Sequence, residues 1–252
     1  VNGKDITGRP RGMWIVDFAE MTQEQAAEYE LPFEYVRQNV RAIREEVRSE
    51  GRTTERWWLH QRARPAMRAA LTGLAQYIVT PRVTKHRLFV FLDVQVLPDS
   101  ETVAIARDDG YFLGVLHSRP HELWARRQGT QLREAESGCR YTPTTTFETY
   151  PFPWPPGKEP QGDPRVEAIA KAARELVVKR DAWLNPPGTS EAELKRRTLT
   201  NLYNQRPAWL DLAHKKLDRA VFDAYGWPHD LADEEILERL LALNLERAGS
   251  ES

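Results

Sequence analysis

Hydrophobic positions in the first 150 residues follow helical spacing in some segments and strand-like patterns in others. Thr22 with Gln25 predicts a capping box that opens a short helix through Glu30. Apolar residues then recur every three or four positions from Phe33 to Val47, which predicts an amphipathic helix. Further helices are predicted over Pro65–Leu74 and, with a break at an internal proline, over Tyr111–Arg127. Runs rich in β-branched and aromatic residues predict strands over Gly12–Phe18, Tyr77–Val79, Leu88–Val94 and Thr102–Ala106, and a strand or extended loop over Arg140–Phe147. The first 150 residues are therefore predicted to be a mixed α+β domain.

The second half of the chain has a different pattern, and a proline-rich segment precedes it. Residues 151–164 contain six prolines and two glycines, which predicts an extended connector and a domain boundary. Helices are predicted after it, over Pro164–Trp183, from a capping box at Ser190, over Pro207–Tyr225 and over Asp233–Ala248. We therefore expect an α+β domain over residues 1–150, a connector over 151–164 and a small all-α helical bundle over 165–252.

Charge is distributed unevenly along a nearly neutral chain. The formal net charge is −1, yet twelve basic residues oppose four glutamates between Arg37 and Arg87, whereas seven acidic residues oppose two arginines after Pro228. This asymmetry favours one surface that faces a polyanion. No run approaches eighteen apolar residues, no apolar leader follows Val1, and Cys139 is the single cysteine, so we expect a cytoplasmic chain without disulfides. The first residue is not Met, which suggests a portion of a longer protein.

Several motifs that could carry catalysis or metal binding are incomplete. The chain has no G-x-G-x-x-G and no Walker A pattern. Asn185–Gly188 resembles the Asn-Pro-Pro-aromatic loop of amino methyltransferases, but a glycine replaces the aromatic residue, so a helix end and proline turn is favoured. His117 and His121 have helical zinc spacing, yet a proline lies between them and no thiolate is close, which favours structural or DNA-facing roles. His214 and Asp218, one turn apart, are explained by a capping or interhelical hydrogen bond.

Arginine-rich loops interleaved with tryptophan and threonine carry the more informative signal. Arginine can bond guanine bidentately, and threonine hydroxyls reach phosphates or bases, so these loops suit a nucleic-acid groove better than a metabolite pocket. The candidate DNA-binding residues are Arg62, Arg64, Arg82, Lys85, His86, Arg87, Arg133, Arg140 and Thr144. We expect the basic residues among them to line one positive cleft, with the acidic segment Asp230–Glu238 lying away from it. Lys85 is expected to contact phosphate, and Arg133 or Arg140 to read a base; alternatively, Arg140 is a buried or ion-paired scaffold residue.

Four segments, followed by several in the helical half, resemble a known family. Gly8–Phe18, Pro81–Arg87, Gly114–Ser118 and Arg140–Pro153 resemble the target recognition domain of MmeI-like class I DNA methyltransferases. Thr198–Asn204, Leu217–Val221 and Ala224–Pro228 are similar to the helical C-terminal domain of the same family. The resemblance implies transfer of a methyl group from S-adenosylmethionine to adenine N6 at a short DNA site, in restriction–modification or phage defence. It also implies that the cofactor loop and the catalytic loop precede the recognition domain, and neither occurs in this chain.

The leading hypothesis is therefore a sequence-specific double-stranded DNA recognition module, without the catalytic domain of its parent methyltransferase. The expected partners are duplex DNA and the catalytic domain of the same polypeptide, with no membrane. Catalytic, cofactor-binding and metal-binding residues are not expected in this chain, and S-adenosylmethionine is expected to bind the catalytic domain. One alternative is a protein–protein docking module that uses the eight tryptophans and the helical half. Another is a stand-alone enzyme whose site the sequence does not reveal.

Overall fold

A computed structural model of the chain describes residues 1–46, 54–131 and 138–250. Within these residues the fold is α+β, as predicted. The helices are α1 (Gly3–Thr7), α2 (Gln23–Ala27), α3 (Glu30–Val36), α4 (Ala42–Glu46), α5 (Pro65–Leu71), α6 (Gly110–His117), α7 (Arg119–Gln128), α8 (Pro164–Leu184), α9 (Glu191–Leu194), α10 (Leu199–Gln205), α11 (Ala208–Tyr225) and α12 (Asp233–Ser250). The strands are β1 (Gln76–Pro81), β2 (Val83–Thr84), β3 (Val90–Asp93), β4 (Thr102–Ile105), β5 (Thr130–Gln131) and β6 (Cys139–Arg140). The structure divides into two units, Val1–Arg11 with Gly73–Ser252, and Gly12–Thr72.

The larger unit contains an antiparallel sheet in the order β3-β1-β4. Its central strand β1 buries Tyr77, Ile78 and Val79 completely, which explains why an uninterrupted apolar run, rather than an alternating one, forms this strand. Val79 pairs with Val90 on one side and with Ala104 on the other. The predicted strands at these three positions are therefore confirmed, with small shifts in their ends.

A second, smaller sheet has the order β2-β6-β5. In this sheet Val83 and Thr130 lie on either side of Arg140. Gly138, just before β6, has a φ of +85°, and a Cβ atom there would lie 2.2 Å from the carbonyl oxygen of Thr84. Only glycine permits both this backbone conformation and this close approach, so Gly138 fixes the pairing of β6 with β2.

The helical core is built around α6, which is buried from Tyr111 to His117. Asp109 caps the helix by accepting a hydrogen bond from the Phe112 amide at 2.8 Å. Gly114 lets α8 approach closely, because a Cβ atom there would lie 2.6 Å from Cγ2 of Ile169. Helix α6 packs against the long helices α8 and α11, and burial of its apolar side chains there stabilises this unit.

The hydrophobic core continues through the proline-rich segment, in contrast to the boundary that we expected at residues 151–164. Phe112 stacks on Phe152 with ring centroids 4.7 Å apart, and the Tyr225 hydroxyl donates to the Pro151 carbonyl at 2.8 Å. Residues 151–163 form neither helix nor strand, as the prolines predict, but residues 151–153 are buried, and the exposed residues are 155–158 and 161–162. The prolines prevent regular structure, while the aromatic residues between them join the core, so residues 1–150 and 165–252 do not have separate cores.

The unit Gly12–Thr72 has a small core of its own, formed by Phe18, Ala26, Val36, Trp57 and Leu59. The capping box at Thr22 and Gln25 is confirmed, and it opens the short helix α2. The helix predicted over Phe33–Val47 is confirmed as far as Glu46: it begins at Glu30 and has a π-helical turn over Arg37–Arg41, and Val47 lies outside the described residues. The strand expected over Gly12–Phe18 does not form: these residues have no regular structure and no strand partner among the residues described.

Other predictions are confirmed or corrected locally. Helices α5, α8, α11 and α12 occur where they were predicted, and Ser190 caps α9. The strand or loop expected over Arg140–Phe147 is instead a two-residue strand followed by a π-helical turn over Pro143–Phe147, in which the Thr146 hydroxyl donates to the Thr142 carbonyl at 2.6 Å. Among the described helices, none combines the length and the hydropathy that a bilayer span requires.

Candidate nucleic-acid interface

The turn after β2 contains the basic residues Lys85, His86 and Arg87, and their side chains lie in two different environments. Arg87 is directed inward: its Nη1 donates to Thr80 Oγ1 at 3.0 Å and to the Pro81 carbonyl at 2.6 Å, and its Nη2 donates to the Cys139 carbonyl at 2.7 Å. The guanidinium also lies 4.9 Å from the ring centroid of Tyr141. Burial lowers the pKa of Arg87 to about 10, so the group remains cationic at neutral pH. These contacts make Arg87 a structural link between the two sheets.

Lys85 and His86, in contrast, remain on the surface and share one acceptor. Lys85 Nζ donates to Asn204 Oδ1 at 2.9 Å, and His86 Nε2 lies 2.9 Å from the same oxygen. Asn204 belongs to α10, so this helix positions the turn. The Lys85 side chain is exposed, and a single neutral acceptor does not compensate its charge. Its ammonium group is therefore available to an anion.

Arg140 lies at the centre of the small sheet, with its backbone paired on both sides and its side chain exposed. No acceptor among the described residues binds its guanidinium. The exposed side chain does not fit the buried scaffold role raised from the sequence. The ion-paired scaffold role stays open, because residues 132–137 are not described. Thr144, in the π-helical turn that follows, is also exposed. As far as the described residues go, both side chains can contact a ligand.

Strand register decides which cations share a face. Residues directly opposite in an antiparallel pair direct their side chains to the same face, so Arg140 shares a face with Val83, and Arg82 is directed to the other face. Arg82 Nε donates to the Ser100 carbonyl at 2.7 Å, which is consistent with that direction. Lys85 follows β2 directly, and its backbone nitrogen lies beside Gly138. We call Lys85, His86 and Arg140 the basic surface.

The remaining candidates lie elsewhere or outside the described residues. Arg133 belongs to residues 132–137, which are not described, so its role stays a prediction. Arg62 and Arg64 belong to the unit Gly12–Thr72, where both are exposed. Arg64 has a φ of +55° and directly precedes α5, whose first residue is Pro65. That these two arginines share a cleft with the basic surface also stays a prediction.

A polar cavity of about 390 Å³ lies beside His86 and Arg87. Its other charged lining residues include Arg119, Asp218 and Asp233. Asp233 accepts a hydrogen bond from Arg119 Nε at 2.8 Å, so an acidic residue of the C-terminal segment lies at this cavity. The expectation that the whole segment Asp230–Glu238 avoids the cations of the turn is wrong for Asp233, because α12 begins at this residue and pairs it with α7.

Three buried histidines near this cavity have structural partners. His117 Nε2 accepts from Arg180 Nη1 at 3.1 Å, His121 Nε2 lies 3.0 Å from the Tyr141 hydroxyl, and His214 Nε2 lies 3.0 Å from the Tyr203 hydroxyl. Burial lowers the pKa of His121 to about 3 and that of His214 to about 4, and lowers the pKa of His117 as well. Within the described part of the chain, no group of three or more metal-binding side chains occurs. The structural interpretation of these histidines is therefore favoured over zinc binding.

Two further sequence interpretations are settled by hydrogen bonds. Asp218 Oδ1 accepts from the Arg119 backbone amide at 2.7 Å, so it caps α7 from a neighbouring helix, as expected. Asn185 lies at the end of α8, and its Oδ1 accepts from Arg9 Nη2 at 2.9 Å. Gly188 follows with a φ of +72°, which completes a turn. Asn185–Gly188 therefore form a helix end and a turn, which is the interpretation that the sequence favoured over a catalytic loop.

Asn204 is a residue that sequence reasoning missed. It orients both Lys85 and His86, yet it lies about 120 positions further along the chain. The segment Thr198–Asn204 was noted only for its similarity to the helical C-terminal domain of the resembled family, and nothing in its sequence indicates which loop the Asn204 amide meets. Such a contact follows from tertiary packing alone.

This fold is shared with part of a restriction–modification enzyme, and a portion of the sequence is similar to a DNA methyltransferase. The solved structure is that of the type IIL restriction–modification enzyme MmeI in complex with DNA: it matches 99% of this chain with a TM-score of 0.71 at 20% identity, over 30% of the MmeI chain. The sequence relative is DNA methyltransferase A of Bacillus subtilis (strain 168), 32% identical over 135 residues, which are 53% of this chain and 13% of that protein. No family model matches the chain. The resemblance to MmeI-like restriction–modification proteins is thus confirmed, and the chain spans less than a third of either relative.

Proposed function

We propose that this chain is the DNA sequence-recognition module of a site-specific adenine-N6 methyltransferase of restriction–modification or phage-defence type. The observation that carries the proposal is the exposed guanidinium of Arg140 at the centre of the small sheet, which has no partner among the described residues, with Lys85 directly after the neighbouring strand. A cation held on a sheet without a counter-ion in the described part of the chain suits a polyanionic ligand. The shared fold with MmeI, which was solved with DNA, supports the same ligand.

The residues of the basic surface have different chemistry and therefore different proposed roles. Lys85 carries a compact point charge, which suits a phosphate oxygen and carries no sequence information. Arg140 presents a planar fork of donors, which matches O6 and N7 of guanine in the major groove. His86 supports Lys85 through their common acceptor Asn204. Thr144 offers a hydroxyl for a phosphate or a base edge.

Methyl transfer is assigned to a separate catalytic domain of the parent polypeptide, meaning the longer methyltransferase chain that this proposal implies. The sequence lacks both the glycine-rich cofactor loop and an intact Asn-Pro-Pro-aromatic loop, and Asn185 is occupied at a helix end. We therefore expect the purified chain neither to bind S-adenosylmethionine nor to methylate duplex DNA. Methyl transfer by the purified chain would contradict this assignment.

Duplex binding measured by fluorescence anisotropy at several salt concentrations tests the proposal. The double variant Lys85→Ala/Arg140→Ala should bind at least about tenfold more weakly, and the slope of log K against log salt should fall by up to about two units. The matched control is Lys171→Ala/Lys179→Ala, which removes two exposed charges from α8 and should bind like the unaltered chain. Equal losses for both variants, or no duplex binding by the unaltered chain, would refute the proposal.

A further inference from the structure

Exposed apolar side chains concentrate in the unit Gly12–Thr72. Trp14, between Met13 and Ile15, is 96% exposed, and Leu31 is 86% exposed. Among the described residues, the large hydrophobic side chains exposed in this unit are Met13, Trp14, Ile15, Tyr29, Leu31, Tyr35 and Ile43. In the much larger unit, Val1–Arg11 with Gly73–Ser252, the described residues include four, namely Val178, Leu212, Leu241 and Leu245. Exposed large apolar side chains at this frequency within one small unit favour an interface.

The buried core of the same unit is too small to account for its apolar content. Its fully buried members are Phe18, Ala26, Val36, Trp57 and Leu59, and Ala26 contributes little area. A unit of this length needs additional buried surface to be stable.

The segment Met13–Val16 has the sequence of a strand but pairs with no strand in the described part of the chain. Its residues are apolar and partly β-branched, and they are bounded by Gly12 and Asp17. No backbone amide from Met13 to Val16 donates to an acceptor within the described residues. Unpaired amides beside exposed apolar side chains are the features that allow a segment to join the edge of another sheet.

We propose that Met13–Val16 adds as an edge strand to a β-sheet of the catalytic domain in the parent polypeptide, and that Leu31 and Tyr35 extend the contact. Leu31 and Tyr35 are four residues apart on α3 and therefore lie on one face of that helix. This inference rests on the proposed function, which requires a catalytic domain. The chain spans 30% of MmeI and 13% of the Bacillus relative, so most of each relative lies outside the matched region. Cofactor-binding α/β domains are built on open sheets, whose edges accept a further strand.

Hydrogen–deuterium exchange on the complete parent polypeptide and on this chain alone tests the inference. The amides of residues 13–16 should exchange at least about tenfold more slowly in the parent, because ladder hydrogen bonds protect them only there. Amides of α8 serve as the internal reference and should exchange alike in both proteins. In the parent, Ile15→Lys should restore fast exchange at residues 13–16, whereas the matched control Leu212→Lys, at an exposed position of α11, should not.

Equal exchange at residues 13–16 in both proteins would overturn the inference. Protection in this chain alone that rises with concentration would also overturn it, because the partner would then be a second copy. If the complete reading frame of the parent polypeptide encodes no further α/β domain, the proposed partner does not exist, and the inference is overturned as well. Duplex binding measured on the same samples separates the two proposals: binding without protection refutes only the docked strand, and protection without binding refutes only the DNA-recognition role.

Discussion

The guanidinium of Arg87 lies 4.9 Å from the ring centroid of Tyr141. Its nitrogens also donate to three acceptors, two of them at the end of β1 and one on β6. Lys85, two residues earlier in the same turn, is instead exposed on the surface. Adjacent cations in one basic turn therefore have different roles, one structural and one available to a ligand.

Arg87→Ala should lower the free energy of unfolding by about 2–4 kcal/mol, because it leaves buried carbonyl groups without donors and removes a cation–π contact. Urea denaturation measures the change. Arg140→Ala is the control and should stay within about 0.5 kcal/mol of the unaltered chain, since its side chain is exposed. Unaltered stability of Arg87→Ala together with weaker duplex binding would instead assign Arg87 to DNA contact.

Lys85→Ala should weaken binding to all duplex sequences alike and reduce the salt slope by about one unit, as the loss of one phosphate contact requires. Anisotropy titrations on two unrelated duplexes measure both quantities. Lys179→Ala, an exposed lysine of α8, should leave them unchanged. A loss confined to one of the two duplexes would argue against a phosphate contact.

Arg140→Ala should cost about 1–3 kcal/mol of binding free energy at a single base position and relax specificity there. Titrations on the recognised duplex and on its single-base variants measure the position, using the complete methyltransferase if this chain binds weakly. The same prediction applies to Arg133, which lies outside the described residues. Equal losses on recognised and shuffled duplexes would remove the base-reading role of either residue.

Acid should destabilise the chain through its buried histidines. The pKa of His214 is lowered from 6.5 to about 4 by burial, so the unfolded chain binds a proton below pH 6.5 that the folded chain does not bind until about pH 4. Stability is therefore lost as the pH falls through this window, by about 1.4 kcal/mol per pH unit for each such histidine. Asp218 opposes the trend: burial raises its pKa from 3.8 to about 6, so its contribution falls as the pH rises from about 4 to 6.

The variant His214→Gln isolates the histidine contribution, because the amide can still bond to the Tyr203 hydroxyl. Urea denaturation between pH 4.5 and 6.5 should show a slope that is lower by about 1.4 kcal/mol per pH unit than in the unaltered chain. An identical pH profile for the two proteins would show that the folded state accommodates the protonated imidazole.

Local sequence signals predicted those elements whose stability is local or whose apolar face is continuous. The capping box at Thr22 and the long helices α8 and α11 follow from spacing and caps, and they occur as predicted. The strand expected at Gly12–Phe18 did not form, because a strand also needs a partner that the sequence pattern does not supply. The proline-rich segment was expected to separate two domains, but its aromatic residues join the common core.

The candidate site was predictable in residue type but not in arrangement. Arginine and lysine in turns indicated a nucleic-acid surface, yet Lys85 and Arg87 are indistinguishable by local pattern. Their roles depend on β6, about 50 positions away, which supplies an acceptor to one and leaves the other exposed. Asn204, which orients Lys85, is still more distant. Contacts of this kind depend on tertiary packing, for which the sequence pattern has no local signal.

Selection of duplexes from a random-sequence library by this chain tests the proposed sequence recognition most directly. We expect one short sequence to be enriched over successive rounds, and we expect Arg140→Ala to lose preference at one of its positions. Retention of duplexes without any enriched sequence would reduce the chain to a non-specific polyanion binder. Failure to retain duplex DNA at low salt would contradict the DNA-recognition role altogether.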